Sequence, residues 1–447
     1  MSTTPYVAGV DTSTQSCKVV IVDPESGKIV REGRATHPDG TEVDPAAWWD
    51  AFLQAVEEAG GLEDVAALAV SGQQHGMVCL DSDGEVIRPA LLWNDTRSAQ
   101  AAEDLIAELG DGDTEVGKAR WADLTGSVPV ASLTVTKLRW LADHEPENAK
   151  RIAAVCLPHD WLTWKIAGEP GLEALVTDRS DASGTGYMSR KEAEYLPDLL
   201  ALALRRDDVS DIILPKILGP WEQAGTGDPA RGWGHLVLGP GCGDNAGAAL
   251  GLDLGAGEAM LSLGTSGVVG VISDHSIADP TGLVTGFADA TGRWLPLAVT
   301  LNASRIIDAM MKIIDADYRE YDDLALEVPD AGGLVLLPYF EGERTPNLPE
   351  ATATLSGMTL ANSDRAHVAR AGVEGLLNLM RYALDAVRAL DVQINTVHLV
   401  GGGSKSVAVQ DLAAEFLDAQ IVLPQPGEYV ALGAARQAKG VLEAQNL

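Results

Sequence analysis

Twice in this chain, about 250 residues apart, an apolar run stops at a short turn of small polar residues and then resumes. The first copy is Val7-Ala-Gly-Val-Asp11-Thr-Ser-Thr-Gln-Ser-Cys-Lys18-Val-Val-Ile-Val-Asp23. The second is Glu258-Ala-Met-Leu-Ser-Leu263-Gly-Thr-Ser-Gly267-Val-Val-Gly-Val-Ile-Ser273. Each reads as a β-hairpin with a polar tip. Each is also followed, further on, by a helix and a strand. After the first, Pro24–Gly27 is a turn, Ile29-Val30 opens a third strand, and Asp44-Pro45 reads as an N-cap with proline at the first helical position. Trp48, Phe52, Val56 and Ala59 then fall at helical spacing, and the strand 65–70 runs into Ser71-Gly-Gln-Gln-His75-Gly76. After the second, an amphipathic helix from about Ala371 to Leu390 carries Val373, Leu376, Leu377, Met380, Leu384 and Val387 on one face. The strand 396–400 follows and breaks into Gly401-Gly402-Gly403-Ser404. A duplicated α/β architecture accounts for this order most economically. With Gly251-Leu-Asp-Leu-Gly-Ala-Gly257 as a flexible junction, the expected domains are 1–250 and 251–447. The active cleft is expected where the two tips face each other, because ligands of such sheets sit at strand ends. The stretch from about 100 to 235 shows helical segments at 99–109 and 137–144 and is otherwise unassigned.

Size and composition exclude several classes. At 447 residues with 46% hydrophobic and 22% charged, the chain is neither disordered nor a small scaffold that needs disulfides or metal to fold. Lys plus Arg is 32 and Asp plus Glu is 65, a net charge of −33, which argues against nucleic acid or an anionic membrane as partner. A small anion can still be held by a local cluster of N–H groups. Cys17, Cys79, Cys156 and Cys242 form no CxxC pair, which fits a reduced cytosol and speaks against zinc. The N-terminus lacks a basic region followed by an apolar one, and no run of about 18 apolar residues exists, so neither a signal peptide nor a membrane span is expected. The expected location is cytoplasmic.

Six segments could carry chemistry. The two tips offer N–H groups and hydroxyls that can wrap phosphate oxygens, although ordinary hairpin turns have the same composition. Lys18 adds a point charge on the first loop, and Asp11 at the strand end could hold Mg²⁺. Three glycines at 401–403 let a ligand approach the backbone or simply make a flexible turn; neither a Walker pattern nor GxGxxG is present. Asp244, in Gly239-Pro-Gly-Cys-Gly-Asp-Asn245, is either a helix cap or a general base that takes the proton of an attacking hydroxyl. Gln74 and His75, with Trp93 and Asn94 of Leu92-Trp-Asn-Asp95-Thr-Arg97, supply the amide, imidazole and indole that a polyol pocket uses. Singly, such groups are more often packed core residues. Glu341-Gly-Glu343-Arg344 reads as a solvated loop with an Arg–Glu ion pair, or as a direct substrate contact.

Taken together, these segments resemble the FGGY carbohydrate kinases, of the actin/hexokinase/chaperone ATPase superfamily, from Val7 to about Ala438. Gly9-Val-Asp11-Thr-Ser-Thr is similar to the first phosphate loop, Leu263-Gly-Thr-Ser-Gly267 to the second and Gly401–Ser406 to the adenosine loop. Gly243-Asp244-Asn245 is similar to the segment with the family's catalytic aspartate. Ser132-Leu-Thr-Val-Thr-Lys137-Leu-Arg-Trp140-Leu-Ala-Asp143-His144 fits one family signature. Ala353-Thr-Leu-Ser-Gly357-Met with His367-Val-Ala-Arg-Ala-Gly-Val-Glu374 is close to the other, except that Gly372 replaces a larger residue. The 71–76 and 92–95 segments look most like members that act on D-xylulose, with Gln74 where those carry methionine before the histidine. Glycerol-specific members carry an Arg-Glu pair there instead. The chain also ends soon after Tyr429-Val-Ala-Leu-Gly433-Ala-Ala-Arg436, without the helical extension of many relatives.

The resemblance implies an α/β fold of two ribonuclease-H-like (actin/hexokinase-type) domains around a central cleft. It implies ATP- and Mg²⁺-dependent phosphorylation of D-xylulose to D-xylulose 5-phosphate. The catalytic residues would be Asp244 and Asp11, with Asp11 also at the metal. Gln74, His75, Trp93, Asn94 and Asn245 would bind the sugar, and Thr12, Thr14, Lys18, Gly264, Thr265, Gly402, Gly403 and Ser404 the nucleotide. The partners are a sugar and ATP, and a homodimer is allowed. Two alternatives stay open: a kinase for ribulose, gluconate or another polyol, which Gln74 keeps in view, and an actin- or chaperone-like ATPase switch.

Overall fold

The computed structural model describes residues 5–445. They form two compact units. The first runs to Asp253 and takes in Gly286–Trp294 and the chain from Glu428 on; the second is Leu254–Thr285 with Leu295–Gly427.

In the first unit β1 (Tyr6–Thr12), β2 (Ser16–Val22) and β3 (Ile29–Thr36) are the expected hairpin and third strand. Helix α1 (Ala46–Glu58) and β4 (Val65–Gly72) follow. Proline at 45 stands one position outside the helix, and Asp44 Oδ1 accepts the N–H of Ala46 at 3.0 Å. The sheet runs 225–226, 237–238, β4, β1, β2, β3. Both faces of its central strands are covered, which is why β1, β2 and β4 read as nearly unbroken apolar runs, whereas the edge strand β3 carries Arg31, Glu32 and Arg34. Trp48 and Phe52 of α1 pack against Val10, Val19 and Ile21 on one side. On the other, Ala431, Ala434, Ala435 and Ala438 of the C-terminal helix Tyr429–Gln445 pack against Val7, Val20 and Ala69. Small alanines let that helix lie close to the strands, so the last segment of the chain belongs with the first sheet.

Register places the site. β1 is antiparallel to β2, with Asp11 opposite Lys18, and parallel to β4, with Asp11 beside Ser71 and Thr12 beside Gly72. The short strand Cys242–Gly243 adds to β4 in parallel, Cys242 beside Ser71 and Gly243 beside Gly72. Three strand ends therefore finish at one level. The middle of the unit supplies two helices that buttress them, α2 (Pro158–Ile166) and α3 (Arg179–Ser183), and α4 (Asp244–Gly251) leaves the last strand end directly.

The second unit repeats the plan. β5 (Glu258–Leu263) and β6 (Gly267–Val271) are antiparallel, β7 (Trp294–Thr300) adds to β6, and β8 (Thr396–Val400) lies parallel to β5. Between β7 and β8 run α5 (Tyr318–Glu327) and α6 (Arg365–Arg388). All six residues expected on the buried face of α6 are buried. The helix begins six residues earlier than its apolar periodicity indicates, where Asp364 accepts the N–H of His367 at 2.9 Å. Gly372 has a local reason: a Cβ there would stand 2.1 Å from the hydroxyl of buried Tyr321, which donates to the carbonyl of Ala369. Among the described residues no helix is long and apolar enough to cross a membrane.

Candidate active site

The three strand ends of the first unit carry most of the polar residues singled out above. Asp11 sits at the end of β1, where its carboxylate accepts from the hydroxyl of Ser13. Burial raises its pKa to about 6, against the pull of Ser13 and of Lys18 across the hairpin. Lys18 lies on β2 rather than on the turn, and its ammonium is paired with Glu428. Its charge is thus already matched.

Asp244 is the first residue of α4, and Gly243 occupies the cap position. Its Oδ1 accepts from the N–H and the Nδ2 of the next residue, Asn245, at 2.7 and 2.9 Å. A capping side chain stands just outside the helix and reaches two or three residues ahead, whereas Asp244 is already inside the helix and bonds only its immediate neighbour. Burial first, then the charges of Asp11 and Asp181, raise the Asp244 pKa to about 7. Asn245 also donates to Oε1 of Gln74 at 3.1 Å, so Asp244, Asn245 and Gln74 form one hydrogen-bonded run.

His75 follows at φ 69°, a left-handed conformation that is uncommon for any residue other than glycine. Its Nδ1 lies 2.8 Å from the carbonyl of Gly184. A carbonyl can only accept, so Nδ1 carries a proton. Phe287 packs against that ring at a centroid distance of 5.5 Å. Trp93 is not a core residue: it is 47% exposed and its indole N–H donates to Thr14 at 2.9 Å, tying the first tip to the polyol-type group. Next to it the Asn94 Oδ1 is buried with no hydrogen-bond partner among the described residues, as is the hydroxyl of Thr12.

In the second unit the tip between β5 and β6 is held from behind. The carbonyls of Gly264 and Thr265 accept the N–H groups of Ser304 and Ala303 at 2.9 and 3.1 Å. Gly402 and Gly403 line a cavity of about 670 Å³ together with Ser304, Tyr318, Asp322 and Ser406. Ser404 turns its hydroxyl to the carbonyl of Gly401 at 2.8 Å, and it is Ser406 that stands in the cavity wall, donating to Asp322 at 2.5 Å. Tyr318 and Asp322 were not legible in the sequence, since α5 carries no motif. Glu343 is not in a solvated ion pair. It is 1% exposed and accepts from the N–H of Leu301 at 2.6 Å and from the Nδ2 of Asn302 at 2.8 Å. That leaves Arg344 half-buried, with no acidic partner among the described residues and burial lowering its pKa.

No group of three or more His, Cys, Asp or Glu side chains among the described residues could hold a metal ion. Magnesium does not require such a cage, because it keeps waters and binds through one or two carboxylates plus phosphate oxygens. Asp11 fits that pattern, and a cation beside it would relieve its repulsion with Asp244.

Residues 6–251 match the N-terminal domain, and residues 259–439 the C-terminal domain, of the FGGY family of carbohydrate kinases. The chain is an FGGY carbohydrate kinase. It is 43% identical to the xylulose kinase of Streptomyces coelicolor and 42% identical to that of Streptomyces rubiginosus, in each case over 99% of this chain and 89% of the relative. Its fold matches the crystal structure of xylulose kinase from Bifidobacterium adolescentis with a TM-score of 0.94 and 52% identity, over 99% of this chain and 94% of that one. In this FGGY kinase the polyol-type group falls wholly within the N-terminal family domain, and the glycine-walled cavity within the C-terminal one.

Proposed function

We propose that this kinase transfers the terminal phosphoryl group of ATP to D-xylulose, giving D-xylulose 5-phosphate and ADP. The observation that carries the reading is the hydrogen-bonded run Asp244–Asn245–Gln74 at the strand ends, in a chain similar over nearly its whole length to xylulose kinases. Asp244 takes the proton of the sugar's terminal hydroxyl as that oxygen bonds to phosphorus and the bond from phosphorus to the ADP oxygen breaks. A base with a pKa near the working pH suits that step. His75 accepts from a sugar hydroxyl through Nε2. Gln74, Asn94 and Asn245 exchange hydrogen bonds with the other hydroxyls, and the exposed face of Trp93 covers the carbon chain.

Thr12, Thr14, Gly264 and Thr265 give hydroxyl and N–H donors to the phosphate oxygens, where charge spreads in the transition state. Gly402, Gly403 and the neighbouring Ser404 turn form the nucleoside side, with Ser406 and Asp322 in its wall. Lys18 contributes weakly because Glu428 balances it, and Arg344 is a half-buried cation of the second unit with no acidic partner among the described residues. Magnesium bound with ATP offsets phosphate charge, and Asp11 is the residue that would hold it, directly or through water. The sugar is bound by residues of the segment 1–250 and the nucleotide mainly by residues of 251–447, apart from the C-terminal helix. The enzyme works in the cytoplasm without a nucleic-acid or membrane partner, as a monomer or a homodimer.

Coupled ADP release with Mg·ATP across D-xylulose, ribulose, gluconate and glycerol tests the reading. A clear preference for D-xylulose is expected. A preference for another sugar overturns the substrate, and slow hydrolysis indifferent to sugar overturns the kinase reading in favour of an ATPase switch.

A further inference from the structure

Beneath the strand ends of the first unit lies a group of charges that the reaction does not use. His159, in the first turn of α2, meets Asp160 beside it, Asp178 at the start of α3 and Asp181 within α3. The four are 0%, 1%, 3% and 0% exposed. Nδ1 of His159 lies 2.9 Å from Asp181 Oδ2 and 3.1 Å from Asp160 Oδ1, and Nε2 lies 3.8 Å from Asp178 Oδ1. These are ion-pair distances without hydrogen-bond alignment, and neither ring nitrogen has another partner.

The ring is wedged between the two loops that carry the polyol-type group and Asp244. A Cβ on Gly72, just before Gln73–His75, would stand 2.9 Å from the Cβ of His159. A Cβ on Gly241, three residues before Asp244, would stand 2.2 Å from its Cδ2. Gly241 also has φ 84°, so its backbone and its lack of a side chain are both needed to seat the ring. Helix α3 ties the same two loops together. The hydroxyl of Ser180 accepts the N–H of Gly243 at 3.0 Å. The N–H of Gly184 donates to the carbonyl of Asp181 at 2.9 Å, and the Gly184 carbonyl accepts from His75 Nδ1 at 2.8 Å.

Charge at this depth is not needed for packing. A buried ion pair is often no more stabilising than apolar residues of the same volume, and its attested use is to specify one arrangement. Burial works against a charged His159, but the carboxylates of Asp160, Asp181 and Asp178 outweigh it and hold its pKa at about 9.

We propose that His159, as an imidazolium braced by Asp160, Asp178 and Asp181, is a positioning residue that locks the Gln73–His75 turn and the Gly241–Asp244 turn into one mutual arrangement. The imidazolium never touches substrate. It sets where the His75 ring and the Asp244 carboxylate stand, and so acts on sugar binding and on the proton-transfer geometry but not on the nucleotide.

The inference rests on the sugar-kinase reading, and the experiment separates the two. Wild-type turnover of D-xylulose tests the reading. His159→Gln, His159→Lys and Asp181→Asn, compared with wild type on the sugar that it turns over, test the inference. In His159→Gln we expect KM for the sugar to rise about tenfold and kcat to fall, with KM for ATP within about twofold, since a small misplacement costs this much. His159→Lys keeps the charge and recovers most of both. Asp181→Asn keeps the ring and the volume and shows the same sugar-side loss, so it carries the prediction if His159→Gln does not fold. The proposal is overturned if the sugar KM stays within twofold while only thermal stability falls. It is equally overturned if sugar and ATP KM rise together, or if His159→Lys is as impaired as His159→Gln.

Discussion

Ser13–Gln15 and Gly264–Ser266 are turns of equal length between antiparallel strands, and the first strand of each hairpin has a parallel neighbour on its other side. On this shared frame the chemistry diverges. The first hairpin carries Asp11 and Lys18 at its mouth, while the second has only Gly, Thr and Ser. The parallel neighbours differ in the same sense. β4 runs out into Gln73-Gln74-His75, side chains that can recognise hydroxyls, and β8 runs out into three glycines that present bare backbone. The support behind the loops differs too. An imidazole among three carboxylates on α2 and α3 stands behind the first set; behind the second, the backbone N–H groups of Ala303 and Ser304 hold the tip, and the single buried carboxylate of Glu343 accepts from Leu301 and Asn302. The contrast teaches that one scaffold serves two chemistries: the first tip and the strand end beside it carry ionisable and amide side chains, and the second tip and its neighbour carry hydroxyls and bare backbone.

The comparison breaks most visibly at Asp244. Asp244→Asn keeps the shape of the helix start and removes the base, so kcat should fall roughly 10²–10⁴-fold with ATP binding retained. Near-normal turnover, measured by ADP release, would remove Asp244 from the mechanism. Asp11→Asn should cost less, about 10²-fold in kcat, and should raise the Mg²⁺ concentration needed for half-maximal rate with the sugar KM little changed. If instead Asp11→Asn only lowers the melting temperature, the first tip is a structural turn like any other.

The second unit should respond more gently. Arg344→Ala removes a half-buried cation and should lower kcat/KM for ATP about tenfold, with Arg344→Lys in between, because a point charge lacks the guanidinium fork. Gly402→Ala is milder. A Cβ at Gly402 meets nothing within 4 Å, so the fold should tolerate it. If the nucleotide lies against that backbone, overpacking should raise KM for ATP about fivefold with the melting temperature unchanged. An unchanged KM would place the nucleotide elsewhere in the cavity.

How much of this could be read from the residues depended on how local the physics is. The hairpins were legible because polar tips interrupt strands buried on both faces. The start of α6 was less so, since Arg365 and His367 break the apolar periodicity and only Asp364 marks the cap. Choosing between Asp244 as cap and as base needed the structure, because a glycine one residue earlier takes the cap position. Ser404 and Ser406 belong to one turn, and only the helical turn at Gly403–Lys405 decides that Ser406 faces the cavity. The His159 cluster was illegible. Its members are up to 22 residues apart in a stretch without a clear pattern, and it is the packing of both helices on the short strand 176–178 that makes them neighbours.

The smallest effect tests whether the first set of loops rests on charge, and its sign can be worked out. His159 has a folded pKa of about 9 against an ordinary 6.5, so the folded state holds the extra proton between those values. Stability from that proton is fully present below pH 6.5 and is lost as the pH rises through about 9. The groups facing His159 are Asp160 from α2 and Asp178 and Asp181 from α3, and the charge of Asp181 acts in turn on Asp244 at the start of α4. Burial and mutual repulsion raise Asp160 to about 7 and Asp178 to about 6, so they also favour the protonated folded state, in a lower window. Buried Lys137 has its pKa lowered to about 7 and works in the opposite direction above that pH, but it does so equally in wild type and in a His159 variant. The difference in melting temperature between wild type and His159→Gln should therefore be largest near pH 6.5 and close progressively toward pH 9. A difference that stays constant over that range would mean that the His159 ring fills space without carrying charge, and the two units would then differ in their loops but not in what holds the loops in place.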